Sequence, residues 1–326
     1  MIHIVKTIAL AIGASFALGA SAQGAEDAYP SRPVRLVVGL AAGGPSDLLA
    51  RTIAAGLQAR LGATVVVENR VGAGGIVAAG EVARAPADGY TVQFAAMPAV
   101  VFVPFLNDKL PYNQERDFAP IGTLASYSLF LLAGPSMPGN SLADVVKLAR
   151  EKPGQLTYAS GGVGTSNHLS GELLRSMADI DIRHVPYKGN APAYQDLLSG
   201  RVSMMFDFLS TSQQFVKSGK LRMIATTGKE RSSFAPDVPS MAEQGLKDFD
   251  ITAWFGLFVR SGTPQAIIDK LNAALRSTLE MPEIRSKLHE QGYEVTASSP
   301  QQLAARIKSD VELWGPIIRK AGIKTQ

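Results

Sequence analysis

Few residues in this chain have the types and spacing for bond-making chemistry. It holds no cysteine and four histidines, His3, His168, His184 and His289. Thiol redox chemistry and thiolate metal ligation are therefore excluded, and no HxxxH pair offers a metal site. The serine of GPSDL lacks the second glycine of a nucleophile elbow, and no serine and histidine form a credible nucleophile and base. What recurs instead is a pattern of glycines and small donors. GLAAGGPSDLLAR at 39–51 and GGVGTSNHLSGE at 161–172 each follow an apolar run and lead into a helical segment. Such a turn aims free backbone N–H groups and the positive end of a helix at one point, which holds a carboxylate or phosphate without an arginine. Two such loops suit binding better than turnover.

Within the first loop Gly43 and Gly44 stand where the strand must turn sharply. Asp47 falls in the first helical turn, where an acid bonds backbone N–H groups; direct ligand contact is the alternative. In the second, Gly161, Gly162 and Gly164 make the turn, and Thr165, Ser166 and Asn167 supply hydroxyl, amide and N–H donors. His168, in the first turn of the following helix, reads as a residue of the helix start rather than a catalyst. Asp207 in MMFDF ends a strand and either meets a ligand amine or hydroxyl or serves as a structural cap. Tyr187 and Gly189 in VPYKGN also sit at a strand end, where open α/β sheets place ligands. VGAGGIVAAG at 71–80 only superficially matches a dinucleotide fingerprint, because Val77 stands where the closing glycine belongs. A helix packed closely through Gly75, Ala78, Ala79 and Gly80 is the expected role.

The elements that position these loops alternate. VRLVV (34–38) reads as a strand buried on both faces. PSDLLARTIAAGLQARLG follows as a helix with Pro45 at its start, Gly62 at its stop, and Leu49, Ile53 and Leu57 on one face. Strands TVVVEN, DGYTVQFAAM, LTYAS, IRHVPY, VSMMFDF and LRMIATTG and their intervening helices continue the pattern, which implies α/β architecture with largely parallel sheets. Two extended segments, 118–134 and 249–260, interrupt it, and the stretch between them is long enough for an inserted domain. The expected organisation is a first domain from 23–125 and 250–326, and a second, inserted one from 126–249. Two crossing strands would form the hinge, which allows closure around a ligand.

The first 22 residues carry Lys6, an apolar core, and Ala20 and Ala22 around Ser21, the pattern of a secretory signal peptide cleaved after Ala22. No later run is long and apolar enough for a membrane helix, so an exported, soluble periplasmic protein is expected. The formal net charge of +4 is spread along 326 residues with no basic block, which argues against nucleic acid.

Together these segments resemble the periplasmic solute-binding proteins of tripartite tricarboxylate transporters, the Bug family. The resemblance runs through YPSRPVRLVV, AGGPSDLLAR, VVVENRVGAGG, ADGYT, LPYNQERDFAPIG, GVGTSNHLSGELL, HVPYKGNAPAYQDLLSGRVSMMFD and FGLFVRSGTPQAIIDKLNAAL. It implies a two-domain Venus-flytrap fold of the type II kind. It also implies a carboxylate ligand delivered to membrane permease subunits, and no enzyme activity, cofactor or metal. On that resemblance the loop at 41–47 (Ala41, Ala42, Gly43, Gly44, Ser46, Asp47) and the loop at 160–168 (Ser160, Gly161, Gly162, Thr165, Ser166, Asn167, His168) grip the carboxylate through backbone groups and waters. Two departures bear on the ligand. Gly39-Leu40 stands where relatives commonly have proline, and Met97, Ala99, Val100 and Val103 give an apolar wall where relatives tend to show polar side chains. These point to a ligand with an apolar or aromatic body. A monomer is expected. Presentation of the ligand to a membrane sensor is the alternative to transport.

Overall fold

The computed structural model describes residues 29–107 and 109–321; the expected leader and its cleavage point lie outside them. The chain runs β1 (Val34–Val38), α1 (Pro45–Leu61), β2 (Val65–Asn69), α2 (Ile76–Arg84) and β3 (Thr91–Ala96). A π-helical turn (Pro98–Phe102), the short α3 (Val103–Leu106) and β4 (Phe118–Ser128) follow. Next come β5 (Phe130–Ala133), α4 (Leu142–Glu151), β6 (Thr157–Ser160), α5 (Ser166–Ala178), β7 (Arg183–Pro186), α6 (Asn190–Leu198), β8 (Met204–Asp207), α7 (Leu209–Lys217) and β9 (Arg222–Thr226). The chain closes with β10 (Thr252–Arg260), α8 (Gln265–Leu279), α9 (Pro282–Glu290), β11 (Glu294–Val295) and α10 (Pro300–Ala321).

The strands divide between two sheets, ordered β11-β4-β10-β3-β1-β2 and β7-β6-β8-β5-β9. Strands β1, β2 and β3 pair in parallel, as do β6, β7 and β8, while β10 and β5 run antiparallel to their neighbours. Both sheets are thus mixed, each with its parallel strands turned toward glycine loops at their C-terminal ends. Two sheets, each with helices and a set of parallel strands, match the architecture the alternation implies, though both sheets are mixed rather than largely parallel. In the first sheet Leu36, Val37 and Val38 are fully buried, and Leu49, Ile53 and Leu57 of α1 pack on the same core. The helical face read from i, i+4, i+8 spacing is the face that is covered. Gly56 lets α1 approach α8, because a Cβ there would lie 2.3 Å from Thr278 Cγ2.

The extended segment expected over 118–134 is two strands, not one. Leu129 interrupts it and passes the chain from the first sheet to the second. The segment expected over 249–260 becomes regular strand only at Thr252, because Ile251 is engaged at the crossover. Its N–H donates to Thr227 O at 2.7 Å. Thr227 is fully buried and joins both crossings. Its N–H donates to Leu129 O at 2.8 Å, its Oγ1 accepts from Leu129 N–H at 2.8 Å, and the same hydroxyl donates to Ile251 O at 3.0 Å. A β-branched hydroxyl is stiff at χ1 and can serve as donor and acceptor at once. One side chain therefore satisfies backbone groups from both connecting segments.

Candidate ligand-binding cleft

Between the C-terminal ends of the two sets of parallel strands lies a cavity of about 510 Å³, within the size range of small-molecule sites. One side comes from the first sheet and its loops: Gly39, Leu40 and Ser46, the turn Ala73–Gly75, the end of β3, and Pro98, Ala99, Val103, Leu106 and Asn107. The other comes from Val163–Asn167, Asn190 and Phe208. The two sides touch, since a Cβ on Gly164 would lie 2.6 Å from Leu106 Cδ1. Tyr127, at the crossover, forms part of the floor with Phe255. Its ring lies 4.7 Å from Phe208 and 5.3 Å from Phe255 between centroids, and its hydroxyl is 3.2 Å from Ser166 Oγ. Among the described residues that line the cavity, none carries a formal charge. The polar groups offered are hydroxyls, amides and backbone N–H groups.

Each glycine loop is braced from behind. In the first, Gly43 adopts φ +78, which favours glycine, and no side chain caps the start of α1. Asp47, 2% exposed, accepts from Gly43 N–H at 2.9 Å and Arg51 Nε at 2.9 Å through Oδ2, and from Asn69 Nδ2 at 2.9 Å through Oδ1. Burial pushes its carboxyl upward, but those hydrogen bonds outweigh it and hold the group below the usual carboxylate range. Asn69 also donates to Leu40 O at 2.9 Å, tying the end of β2 to the loop.

In the second loop Thr165 caps α5, accepting from His168 N–H at 3.4 Å and donating to Gly162 O at 2.8 Å. His168 Nδ1 accepts from Gly164 N–H at 3.1 Å. Asn167 Nδ2 donates to Phe206 O at 2.6 Å. Asp207, fully buried, gathers donors from Asn190 Nδ2 at 2.8 Å, Tyr194 Oη at 2.7 Å, Thr211 Oγ1 at 2.7 Å and Asn167 Nδ2 at 3.3 Å. Burial raises its carboxyl above the usual range against those hydrogen bonds. Asp207 is thus held by protein donors and ties down Asn167 and Asn190, which line the cavity.

The sequence model for the tripartite tricarboxylate transporter family receptor matches residues 49–323. The chain belongs to that receptor family. Its solved relatives include the periplasmic binding protein BugD, 35% identical over 91% of this chain and 100% of that one, with a TM-score of 0.79. An R. palustris protein solved with adipate is 34% identical over 91% and 99%, with a TM-score of 0.81. MatC from Rhodopseudomonas palustris, with bound malate, is 33% identical over 89% and 100%, with a TM-score of 0.78. The family is one of solute-binding receptors. No helix among the described residues is long and apolar enough to cross a membrane.

Of the residues singled out in the receptor's sequence, Ser46, Thr165, Ser166 and Asn167 line the cavity, and Ala99 and Val103 form part of its apolar wall. Others stand elsewhere. Ala41, Ala42 and Gly43 are exposed at the loop tip, with Gly44 half-buried behind them. Met97 is 1% exposed and Val100 equally buried, both packed in the hydrophobic core rather than on the cavity wall. Ser160 is buried with its Oγ 2.6 Å from His184 Nε2. Gly161 and Gly162 lie at the base of the second loop, where Gly189 N–H donates to Gly161 O at 3.1 Å. Tyr187 donates to Asp196 Oδ2 at 2.7 Å, and its hydroxyl is pushed up to about 12 by burial and that bond. The turn Ala73–Gly75 corrects the expectation for VGAGG: Ala78 and Ala79 do pack in the core, but Ala73, Gly74 and Gly75 line the cavity. Ala73, Gly74 and Gly75 all have positive φ, at 45, 66 and 99. Gln93, Tyr127, Asn190, Phe208 and Phe255 were not singled out in the sequence.

Beneath the second loop His168 and His184 stack at 3.9 Å between centroids, with Tyr158 beside His184 at 5.0 Å. Burial lowers both imidazoles to about 4; Arg175 adds to the effect at His168, and His168 adds to it at His184. At neutral pH both rings are uncharged. This is what permits His168 Nδ1 to accept the Gly164 N–H.

Proposed function

We propose that this receptor captures a small carboxylate with an apolar or aromatic body in the cleft and delivers it to the permease of a tripartite transporter. The observation that carries the reading is the cavity itself, with neutral donors at Ser46 and the Thr165–Asn167 helix start, aromatic and aliphatic walls, and no charged lining residue. Such a site holds an anion by hydrogen bonds and a helix terminus rather than by an ion pair. The relatives solved with adipate and malate support a carboxylate as the anion. Export to the periplasm by the N-terminal leader completes the reading. So does a division into one domain from 23–125 with 250–326 and another from 126–249, pivoting at Leu129, Thr227 and Ile251. The protein acts as a monomer without cofactor, metal or catalytic turnover.

Magnitudes require closure. Micromolar affinity corresponds to about −8 kcal/mol, and a helix terminus contributes roughly 0.3 to 1 kcal/mol. Hydrogen bonds to a charged group at about 1.5 to 3 kcal/mol each, and about 25 cal/mol per Å² of apolar ligand surface buried, supply the remainder only when both sides engage. The test is a thermal-shift screen against aliphatic and aromatic mono- and dicarboxylates. A ligand at 100 times its dissociation constant stabilises the folded state by about 2.7 kcal/mol. Stabilisation by apolar-bodied acids is expected, and no response to any acid overturns the proposal.

A further inference from the structure

The stacked imidazoles beneath the second loop are fastened to its turn glycines. Gly164 lines the cavity between Val163 and Thr165, at φ +80. Its N–H donates to His168 Nδ1 at 3.1 Å, so the neutral ring carries its proton on Nε2, which stands 4.0 Å from Glu172 Oε1. His184 lies against that ring, and its Nε2 is 2.6 Å from Ser160 Oγ, which accepts from Gly162 N–H at 3.2 Å. One pair of rings therefore holds both ends of the turn. The turn in its place sets the start of α5, where Ser166 and Asn167 line the cavity. Among the described residues the backbone N–H groups of these two have no acceptor, which leaves them to a ligand. The ionisable groups that face His168 are Glu172 and Arg175 from its own helix, Tyr158 from β6 and His184 from β7. Glu172 is already engaged: Arg175 pairs with its Oε2 at 2.6 Å, and Tyr158 donates to its Oε1 at 2.6 Å.

Resting on the carboxylate reading above, we propose that His168 is a positioning residue for the ligand. As a neutral acceptor it fixes the Gly164 turn, and with it the direction of the Ser166 and Asn167 N–H groups; on taking up a proton it lets the turn go and weakens the hold on the carboxylate. A protonated imidazole has two N–H donors and no acceptor, so it has no place for the Gly164 N–H. The added charge also lies against a second ring and meets no unengaged acid. A turn that has come away leaves the ring in water with its ordinary basicity, near 6.5, whereas burial in the fixed turn holds it at about 4. The fixed turn is thus fully favoured above about pH 6.5 and loses ground as pH falls toward 4, the released form gaining about 30-fold by pH 5. His168 acts through the loop and does not itself touch the ligand.

The experiment is calorimetric titration of the mature receptor with adipate, malate, benzoate and phthalate at about pH 7.5 and about pH 5, either side of the histidine range, in wild type, His168→Leu and His168→Asn. The asparagine amide oxygen stands near the position of Nδ1 and accepts a hydrogen bond without titrating. At the higher pH His168→Leu should bind about threefold to tenfold more weakly than wild type, the worth of one hydrogen bond, and His168→Asn should recover most of that loss. On acidification wild type should lose about threefold or more beyond His168→Asn, with about 30-fold as the ceiling. Protonation of the acid itself and of Asp207 is common to both proteins and cancels in that ratio. In the receptor without ligand, imidazole nitrogen NMR shifts should show His168 Nδ1 unprotonated at neutral pH. The Gly164 amide should lose exchange protection with acid in wild type but keep it in His168→Asn. Wild-type affinity in His168→Leu, or parallel acid profiles in wild type and His168→Asn, overturns the assignment while leaving carboxylate binding intact. Failure of every acid to bind wild type overturns the carboxylate reading and the ligand role of His168 with it, while the Gly164 amide separately decides whether His168 holds the turn.

Discussion

Asp47 touches no part of the cavity, yet its removal should weaken ligand binding. Its carboxylate is the point to which Gly43, Asn69 and Arg51 are tied, and Ser46, its chain neighbour, lines the cleft. Asp47→Ala deletes two part-buried hydrogen bonds to a charged group, from Gly43 N–H and Asn69 Nδ2, worth about 1.5 kcal/mol each at the low end. The bond from Arg51, whose side chain is 51% exposed, adds at most about 1 kcal/mol. The expected loss of folding stability is about 3 to 4 kcal/mol, or roughly 6 to 8 °C at about 2 °C per kcal/mol for a chain of this size. The loop should lose its fixed turn at the same time, because the Gly43 N–H no longer has a partner inside it. Affinity for whichever carboxylate stabilises wild type should fall about tenfold or more. Thermal denaturation and calorimetric titration of the same preparation separate the two effects. A variant that loses the expected stability but binds with wild-type affinity would show that the loop keeps its shape unaided, and the bracing argument fails.

Two further outcomes are expected. Thr227→Val keeps the shape of the side chain but removes the hydroxyl that serves Leu129 N–H and Ile251 O; unpaired buried groups cost about 1 to 3 kcal/mol each. Denaturant unfolding should show a loss of roughly 2 to 6 kcal/mol with Thr227→Ser close to wild type, and equal stability of all three would show that the hydroxyl does not hold the crossover together. For pH, His168 and His184 are lowered to about 4 in the folded chain against about 6.5 when unfolded. The unfolded chain therefore binds protons first as pH falls. Their stabilising effect is complete above about pH 6.5 and is lost progressively toward pH 4. Asp207, raised by burial, acts in the opposite sense, so the comparison to make is melting temperature from pH 7 to 5 in wild type and in His184→Asn. A slope that is the same in both would contradict the buried, neutral pair.

Much of the scaffold was legible because short-range rules decided it. The run VRLVV, the turn glycines and Pro45 at the first helical position specify strand, loop and helix without reference to the rest of the chain. The same holds for Thr165 to His168, where a threonine cap and a glycine turn announce the helix start. The cavity was legible only where those loops reach it. Phe94, Phe208 and Phe255 look like core residues in sequence, and they become walls only because β10 lies beside β3 and the second sheet folds over them. Met97 was read as wall because an apolar side chain beside a strand end looks the same in sequence whether it faces a ligand or, as here, the core. Asp207 was ambiguous because a strand-end carboxylate looks the same whether it meets a ligand or four protein donors. Gln93 did carry a signal, a long polar residue inside an apolar strand.

The place of β10 in the first sheet also constrains how the chain can acquire its structure. It lies between β3 and β4, both of which are synthesised long before it, and its pairing joins Phe255 to Ala96 and Leu257 to Phe94. Until that strand arrives, the flank of β3 and one flank of β4 are open edges rich in apolar residues, the kind of surface on which chains pair wrongly. The intervening residues can form β5 to β9 from contacts made among themselves, so the second sheet is able to mature first. Closing the first sheet then requires the loop-closure entropy of bringing distant segments together before their contacts repay it, which slows folding. Refolding should accordingly be biphasic, with the signal of Trp254, which lies on β10 and is buried against Asp310 of α10, recovered in the slower phase.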